Sequence, residues 1–452
     1  MRPSSALLEA AFLSWASATL IFYPQPGFVS FGRSLDLDSR AIQSLAAKYA
    51  LATTPAEVVE VACLTALAAL GEAQVDTRPL NNATIQENWS QACWAEPHCI
   101  VQPRDTNGVS TTLKTIAQFR TPFAVRSGGH SPNPTWSSVG SDGILLDLQG
   151  LNSITVSGDG SFASVGAGAQ WGDVYSALDG RRTFVIVLSN GSIVNANSGE
   201  HSDLFWALKG GGPNFGVVTR FDLYTVPVYD AWVQLSVYAP QDAPNLIAAF
   251  DEWQKTRAPD SKSSADLIIS LDFAVLILAY SEPTPQPPAV FQPFFSVTPH
   301  DYRGYSSRID TDLTLEVYSF WREKALQVRQ ATGANQTFVL QHVSQNLIDR
   351  AAQNGGNALA IPQGPQQYWE RPEDDDLVRS VSIDTTQKWE QLARERGLHV
   401  PFLFMNDASR DQNPLASYGS GSLQRLKEVS RRYDPSQMFQ TLQNGGFLLS
   451  KT

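Results

Sequence analysis

The stretch Phe123-Ala-Val-Arg-Ser-Gly-Gly-His-Ser131 decides how the rest of the chain is organised. Apolar residues suited to a buried strand stop at Arg126, and a Ser-Gly-Gly turn carries His130 at its far end. Paired glycines allow positive φ and let backbone N–H groups approach a ligand with no Cβ in the way. The turn therefore suits a pyrophosphate-sized anion, with a cation at Arg126 and hydroxyl donors at Ser127 and Ser131. An ordinary surface turn is the alternative for so short a motif.

The composition describes a globular and acidic chain. Its 452 residues suffice for two or three domains with separate cores, and 42% of them are hydrophobic while 17% are charged. The formal net charge of −11 argues against a nucleic-acid partner or an anionic membrane surface, because both require a basic face. No apolar run has the length that spans a bilayer. A small neutral or cationic molecule fits this charge better.

The first 22 residues form a possible signal segment. Arg2 precedes an apolar run from Ala6 to Phe22, which contains the small-residue triplet Ala16-Ser17-Ala18. Glu9 interrupts this run, so a buried first helix in a cytoplasmic protein is the alternative. Four Asn-x-Ser/Thr sequons favour a secreted glycoprotein. They begin at Asn82, Asn88, Asn190 and Asn335.

The three cysteines, Cys63, Cys93 and Cys99, all lie in one short stretch. No Cys-x-x-Cys pair or matching histidine pair accompanies them, so the spacing does not predict a metal site. One disulfide with one thiol left over is the interpretation that the residues support. The pairing stays open on spacing alone.

Several secondary-structure elements follow from local patterns. Thr54-Pro55-Ala56-Glu57 is a capping box that predicts a helix ending at Gly71. Beyond Pro97, a strand at 99–101, a helix at 106–119 and a strand at 123–125 form a small βαβ unit. Further strands are predicted at 144–148, 154–156, 162–165, 183–188, 192–196, 233–238, 267–271 and 274–280, with helices at 245–254 and 383–396.

Four longer pieces of sequence carry a family resemblance. They are RSGGHSPNP from Arg126, GILLDLQGLNSI from Gly143, DLFWALKGGGPNFGVVTRFDL from Asp203 and RRYDPSQMFQTLQNGGFLL from Arg431. Together, and in this order, they resemble the FAD-linked oxidoreductases of the berberine-bridge-enzyme type, within the vanillyl-alcohol-oxidase or PCMH-type flavoprotein superfamily. The resemblance is strong over about residues 95–225 and 400–450 and weak between them.

This resemblance implies an α+β fold, with a two-subdomain PCMH-type FAD-binding domain and a substrate domain built on an antiparallel sheet. The expected organisation is a signal segment (1–22), an N-terminal helical region (23–94), the FAD-binding domain (95–227), the substrate domain (228–400) and a C-terminal return to the FAD-binding domain (401–452).

The resemblance also implies the cofactor, FAD, and the residues that bind it. His130 matches the histidine that is bonded to the flavin 8α-methyl group. Cys63 and Cys99 match a family disulfide, which leaves Cys93 free or intermolecular. The residues expected to bind FAD are Arg126, Ser127, Gly128, Gly129, His130, Ser131, Gly166, Gly168, Gly212, Asn214, Phe215, Gly216, Val217, Val218 and Asn406.

The chain departs from the family at two places. Between Val185 and Ile186 it lacks several dozen residues, which in relatives include a second glycine-rich loop over the pyrophosphate and, in bicovalent members, a flavin-linking cysteine. Near the C-terminus, relatives carry tyrosines around the asparagine that matches Asn406, and one of them serves as a base in some enzymes. Here Phe404 and Asp407 occupy those places, so Asp407 is either a replacement base or only a cap for the next turn.

The expected function is the oxidation of a small organic molecule of secondary metabolism by hydride transfer to FAD, with O2 as the final acceptor. The alternative is a catalytically inactive relative, either a binding protein or a defective gene product, because of the missing segment. The sequence specifies neither the substrate nor the oligomeric state.

Overall fold

The computed structural model describes residues 26–131, 133–177, 180–224, 231–256, 260–296, 310–341, 367–368 and 375–452. The possible signal segment lies outside these residues. Within them, no helix combines the length and the apolar character needed to cross a membrane.

Three helices open the described part of the chain: α1 (Pro26–Ser34), α2 (Ser39–Leu51) and α3 (Pro55–Leu70). The predicted capping box starts α3, since the Thr54 side chain accepts from the Glu57 N–H and the Glu57 carboxylate accepts from the Thr54 N–H at 2.9 Å. The backbone N–H groups of Thr53 and Thr54, which both donate to the Glu57 carboxylate, lower its pKa to about 2. The helix ends at Gly71, where φ is +81°.

The first sheet contains β1 (Val75–Thr77), β2 (Cys99–Val101), β3 (Phe123–Arg126) and β4 (Ile144–Asp147), in the order β1-β2-β4-β3. Strand β4 runs parallel to both β2 and β3. The short helix α4 (Asn82–Ile85) follows β1, and α5 (Thr106–Phe119) connects β2 to β3 as the predicted βαβ unit requires. A Cys63–Cys99 disulfide joins α3 to β2 and confirms the expected pairing, while Cys93 is a buried free thiol.

The second sheet is antiparallel and has the order β5-β6-β9-β7-β8. Its elements are β5 (Ile154–Val156), β6 (Phe162–Gly166), α6 (Trp171–Ala177), β7 (Gly180–Val187), β8 (Ile193–Ala196), α7 (Ser202–Leu208) and β9 (Val217–Tyr224). Val185 and Ile186, between which the family is expected to carry further residues, both lie in β7, and the chain continues there as one strand. The pairing of β7 with β9 shifts its register between these two residues.

The third sheet belongs to the middle of the chain and has the order β10-β12-β11-β13-β14. Its elements are β10 (Trp232–Tyr238), α8 (Ala243–Thr256), β11 (Ser263–Ser270), β12 (Ala274–Tyr280), α9 (Thr311–Thr332), β13 (Asn335–Gln341), β14 (Gln367–Tyr368) and α10 (Asp375–Glu395). All the paired strands are antiparallel. One face packs against the helices in a core that includes Trp253, Trp321 and Trp389.

The C-terminal segment contains a 3-10 turn (Met405–Asp407), α11 (Pro414–Ser417), α12 (Ser420–Tyr433) and α13 (Met438–Thr441). It packs on the first sheet. The Phe123 N–H donates to the Leu442 carbonyl at 3.0 Å, the Asn444 N–H donates to the Phe123 carbonyl at 2.7 Å, and the Phe123 and Phe439 rings meet edge to face. The strand that leads into the glycine turn is thereby anchored by the C-terminal segment.

Candidate functional site

The turn after β3 is open on one side. Ser127, Gly128 and His130 are exposed, and a Cβ added to Gly128 would meet nothing within 4 Å. Gly129 has φ of +64°, a left-handed conformation that glycine adopts without strain, and its Cβ position lies 3.0 Å from the Glu87 carbonyl oxygen. The second glycine therefore lets the turn pack closely on residues 87–88, and the first leaves space for a ligand.

The segment from Thr84 to Cys93, here called the backing segment, holds the carbonyl groups of the turn. The Trp89 backbone N–H donates to the Gly129 carbonyl at 3.2 Å, and the Trp89 indole N–H donates to the His130 carbonyl at 2.5 Å. The Cys93 thiol donates to the Ser131 carbonyl at 3.2 Å. Burial raises the pKa of this thiol, which keeps it protonated as a donor.

The N–H groups of His130 and Ser131 point away from the backing segment. In a planar trans peptide the carbonyl and the next N–H lie on opposite sides, so carbonyls that face the backing segment direct N–H groups away from it. Within the described part of the chain, residues 128–131 donate no backbone hydrogen bond. Successive free N–H groups in a turn form an anion-binding concavity.

Arg126 has a different environment from the one expected of a ligand-binding cation. Its side chain is 0% exposed, and Nη2 contacts Asp147 Oδ2 at 2.7 Å and Glu87 Oε2 at 2.8 Å. Nη1 donates to the Thr84 carbonyl at 2.8 Å. The guanidinium thus lies behind the turn and ties β3 to β4 and to the backing segment. Burial raises the pKa of the Glu87 carboxyl more than the nearby Arg126 lowers it.

The loop at Gly166 and Gly168 is built around close backbone packing. A Cβ on Gly166 would lie 1.9 Å from the Leu151 carbonyl oxygen, and one on Gly168 would lie 2.0 Å from the Leu148 carbonyl oxygen. Both glycines are therefore required by the adjoining 148–151 turn. The loop also contacts the candidate anion site, because the Ser127 hydroxyl donates to the Ala167 carbonyl at 2.5 Å.

The Gly210–Val218 loop meets the C-terminal segment through Asn214. Its side chain is 0% exposed; Nδ2 donates to the Gly211 and Phe447 carbonyls at 2.6 and 2.8 Å, and Oδ1 accepts from the Leu449 N–H at 2.9 Å. Gly212 has φ of +64° and faces the Met405 sulfur. Phe215 and Val217 are buried, whereas Gly216 and Val218 are partly exposed. The Asn214 and Phe215 side chains are thus used in packing, and the backbone of this loop and the partly exposed Val218 are left to contact a cofactor.

The 3-10 turn Met405–Asp407 carries the last two candidates. Asn406 is exposed there, and Met405 joins the turn to Gly212. Asp407 contributes backbone to the turn, while its side chain lies outside the described part. Among the described residues, no group of three or more His, Cys, Asp or Glu side chains is arranged to hold a metal ion.

The backing segment was not identified from the sequence. Its contacts with Arg126 and the turn join residues about 40 positions apart, and four of them end on backbone carbonyls. A carbonyl group is the same at every residue, so such contacts leave no pattern in the sequence. The concentration of cysteine and tryptophan between Trp89 and Cys99 was the one available signal.

Comparisons with known proteins identify an FAD-binding chain. Residues 97–199 match the sequence family described as FAD binding domain. An FAD-dependent monooxygenase of Arthrobotrys oligospora is 33% identical over 441 residues, covering 82% of this chain and 85% of that protein. The macF FAD-dependent monooxygenase of Penicillium terrestre is 30% identical over 449 residues, covering 82% and 86%.

Solved structures share the fold at lower identity. A variant of BBE-like 1 from Physcomitrella patens has a TM-score of 0.66 at 16% identity, covering 85% of this chain and 99% of that chain. Xylooligosaccharide oxidase from Myceliophthora thermophila has a TM-score of 0.65 at 17% identity, covering 82% and 97%.

The fold and the site together define an FAD-binding oxidoreductase. More specifically, the chain belongs to the family of these FAD-dependent monooxygenases, its cofactor is FAD, and its fold is that of the berberine-bridge enzyme.

Proposed function

We propose that this protein oxidises a small organic molecule of secondary metabolism and passes the electrons to dioxygen. The observation that carries the proposal is the open turn at residues 127–131, in which the His130 and Ser131 N–H groups face away from the backing segment and the His130 side chain is exposed. The names of relatives support the same class of chemistry. They include FAD-dependent monooxygenases, the bifunctional solanapyrone synthase of Alternaria solani, and chitooligosaccharide oxidase.

The residues of the turn fit the pyrophosphate of FAD. A dianion requires several donors, and the turn offers the N–H groups of His130 and Ser131, the Ser131 hydroxyl and an unobstructed Gly128. The Ser127 hydroxyl, which the sequence analysis expected to be a donor, is used by the Ala167 carbonyl. Arg126 contributes by fixing the turn, since its guanidinium is occupied by Asp147 and Glu87. Residues 166–168, 212–218 and Asn406 complete the proposed site through backbone or exposed polar groups.

His130 is the proposed point of covalent attachment. The bond joins a ring nitrogen of His130 to the 8α carbon of the flavin. One hydrogen leaves the imidazole nitrogen and one leaves the methyl carbon, and the two electrons end on dioxygen as hydrogen peroxide. The exposed imidazole at the end of a firmly held turn supports this role. No second attachment is expected, because the chain contains no cysteine beyond Cys99.

The protein's contribution to oxidation is orientation and electrostatics. FAD supplies the acceptor for a hydride from the substrate. The 228–400 region is the proposed substrate domain, and Asp407 remains the candidate base that removes a proton as the hydride leaves. The turn and its backing segment hold the cofactor end of the site in place.

A second candidate function is supported by the join at Val185 and Ile186. The register of β7 against β9 shifts at that point, and the second glycine-rich loop of the family is absent from the chain. An inactive relative that binds without oxidising is the function this feature favours.

Oxygen consumption by the purified protein separates the two functions. The oxidase proposal predicts a yellow protein that consumes oxygen and releases an equal amount of hydrogen peroxide with an accepted substrate. A colourless protein that stays colourless after incubation with FAD would support the inactive relative. Screening should begin with phenols, alcohols and reducing sugars, because a hydride can leave carbon next to oxygen in each.

We also propose that the protein is secreted, because it contains the Cys63–Cys99 disulfide and several Asn-x-Ser/Thr sequons. Disulfides persist in oxidising compartments, and Asn82, Asn190 and Asn335 are exposed. Asn88 is only 2% exposed, and its side chain bonds to Ser137 and to the Cys93 carbonyl, so this sequon is not available in the folded protein.

A further inference from the structure

Trp89 contacts the 127–131 turn through three different groups: its backbone N–H, its indole N–H and its ring. Its backbone N–H and its indole N–H bond to the successive carbonyls of Gly129 and His130. Its ring lies 5.6 Å from the His130 ring, centroid to centroid, with a tilt of 36°. The Trp89 side chain is nevertheless 42% exposed, so burial in a core does not account for its position.

We propose that Trp89 is a positioning residue for His130 and sets the orientation in which the imidazole meets the flavin. The proposal rests on the proposed function of His130 as the attachment residue. The indole N–H fixes the main chain that carries the imidazole, and the indole ring limits the rotamers available to the imidazole. Each restriction lowers the conformational entropy that the imidazole would lose on reaching the geometry of the attachment reaction.

The neighbouring structure makes Trp89 rigid enough for this role. Its chain neighbour Asn88 is buried and bonded on both sides of its amide, to Ser137 and to the Cys93 carbonyl. Glu87 is held by Arg126 at 2.8 Å and by Gln149 at 2.5 Å. Because its neighbours in the chain are fixed, Trp89 can hold the His130 imidazole in one orientation.

Two substitutions separate the two contributions of the side chain. Trp89→Phe removes the N–H donor and retains an aromatic ring beside His130, and Trp89→Leu removes both. Trp94→Phe is the matched control, because the Trp94 indole N–H also donates to a backbone carbonyl, that of Asn88 at 2.7 Å, without contacting the turn. Trp94 is also similarly exposed, at 37%.

The readout is the attachment of flavin to apoprotein produced in a riboflavin-starved host. Acid-stable flavin is measured over time at several FAD concentrations, which gives a limiting rate and a half-saturating concentration. We expect Trp89→Phe to lower the limiting rate roughly 3- to 10-fold, as loss of one hydrogen bond would, and Trp89→Leu to lower it further. The half-saturating FAD concentration and the melting temperature of the apoprotein should match those of Trp94→Phe.

Three other outcomes overturn the inference. Limiting rates that are equal in Trp89→Phe and Trp94→Phe would assign Trp89 no special role. A raised half-saturating concentration with an unchanged limiting rate would make Trp89 a structural residue only. Acid-stable flavin in a His130→Ala protein, or none in the wild type, would overturn the attachment at His130 and the inference together.

Discussion

At the scale of single residues, the glycines of the candidate site have two different functions, and its arginine is not exposed to a ligand. Gly128 leaves space in front of the turn, whereas Gly166 and Gly168 allow backbone packing behind it. Arg126, which the sequence analysis treated as a cation for the ligand, is enclosed by Asp147 and Glu87. A sequence motif shows which residue types are close together in the chain, but the direction in which each side chain points depends on the fold.

Gly166→Ala tests the packing role. The new Cβ would lie 1.9 Å from the Leu151 carbonyl oxygen, which belongs to the backbone and must shift. We expect a loss of about 1–3 kcal/mol in the free energy of unfolding, seen as a lower melting temperature of the apoprotein. Gly158→Ala is the control, because its Cβ would meet nothing within 4 Å. Equal melting temperatures for the two variants would show that Gly166 is not needed for packing.

At the scale of elements, local signals predicted several helices and strands well. The capping box at Thr54 and the strand β12 lie where the sequence predicted them. Helix α10 begins at Asp375, earlier than the predicted start at 383. Its first two residues are Asp375 and Asp376, and acidic side chains stabilise the first turn of a helix through its dipole.

Helix α8 contains a buried carboxylate that makes stability depend on pH. Asp251 is 2% exposed and Oδ2 has no partner among the described residues; burial raises its pKa to about 6, although Lys255 lowers it. A carboxyl whose pKa is higher in the folded state stabilises the fold below pH 4, and that contribution is lost as the pH rises through 6.

Asp251→Asn should therefore raise the melting temperature near pH 7 and have little effect near pH 4. A shift of about two pKa units sets an upper bound of about 3 kcal/mol on the gain. Thermal unfolding at pH 4, 5.5 and 7 measures the effect, with the exposed Asp142→Asn as the control. A difference between Asp251→Asn and wild type that stays constant from pH 4 to 7 would contradict this assignment.

At the scale of the whole molecule, the family resemblance predicted the α+β fold and the cofactor. Composition and periodicity alone would have given strands and helices without a function. The contacts of Trp89 and Cys93 with the turn could not be predicted, because they depend on how distant segments pack. The segment missing between Val185 and Ile186 is the opposite case. Only the family resemblance indicates it, because the strand β7 continues through this point.

Restoring the family's segment after Val185 should strengthen FAD binding. The segment would add a second set of donors to the pyrophosphate, at roughly 1.5–3 kcal/mol for each charge-assisted hydrogen bond. The affinity should rise by several orders of magnitude and the melting temperature should rise with it. FAD titration is best performed with His130→Ala in both chains, so that attachment does not mask affinity. Equal affinity and equal melting temperature would mean that the shorter chain is a complete flavin site.

We propose that this chain holds FAD at the 127–131 turn through His130. Acid precipitation of the purified protein, followed by the absorption spectrum of pellet and supernatant, is the decisive measurement. Attachment at His130 predicts that the yellow colour stays with the wild-type pellet and moves to the supernatant for His130→Ala. Flavin that remains in the His130→Ala pellet, or that leaves the wild-type pellet, would contradict it.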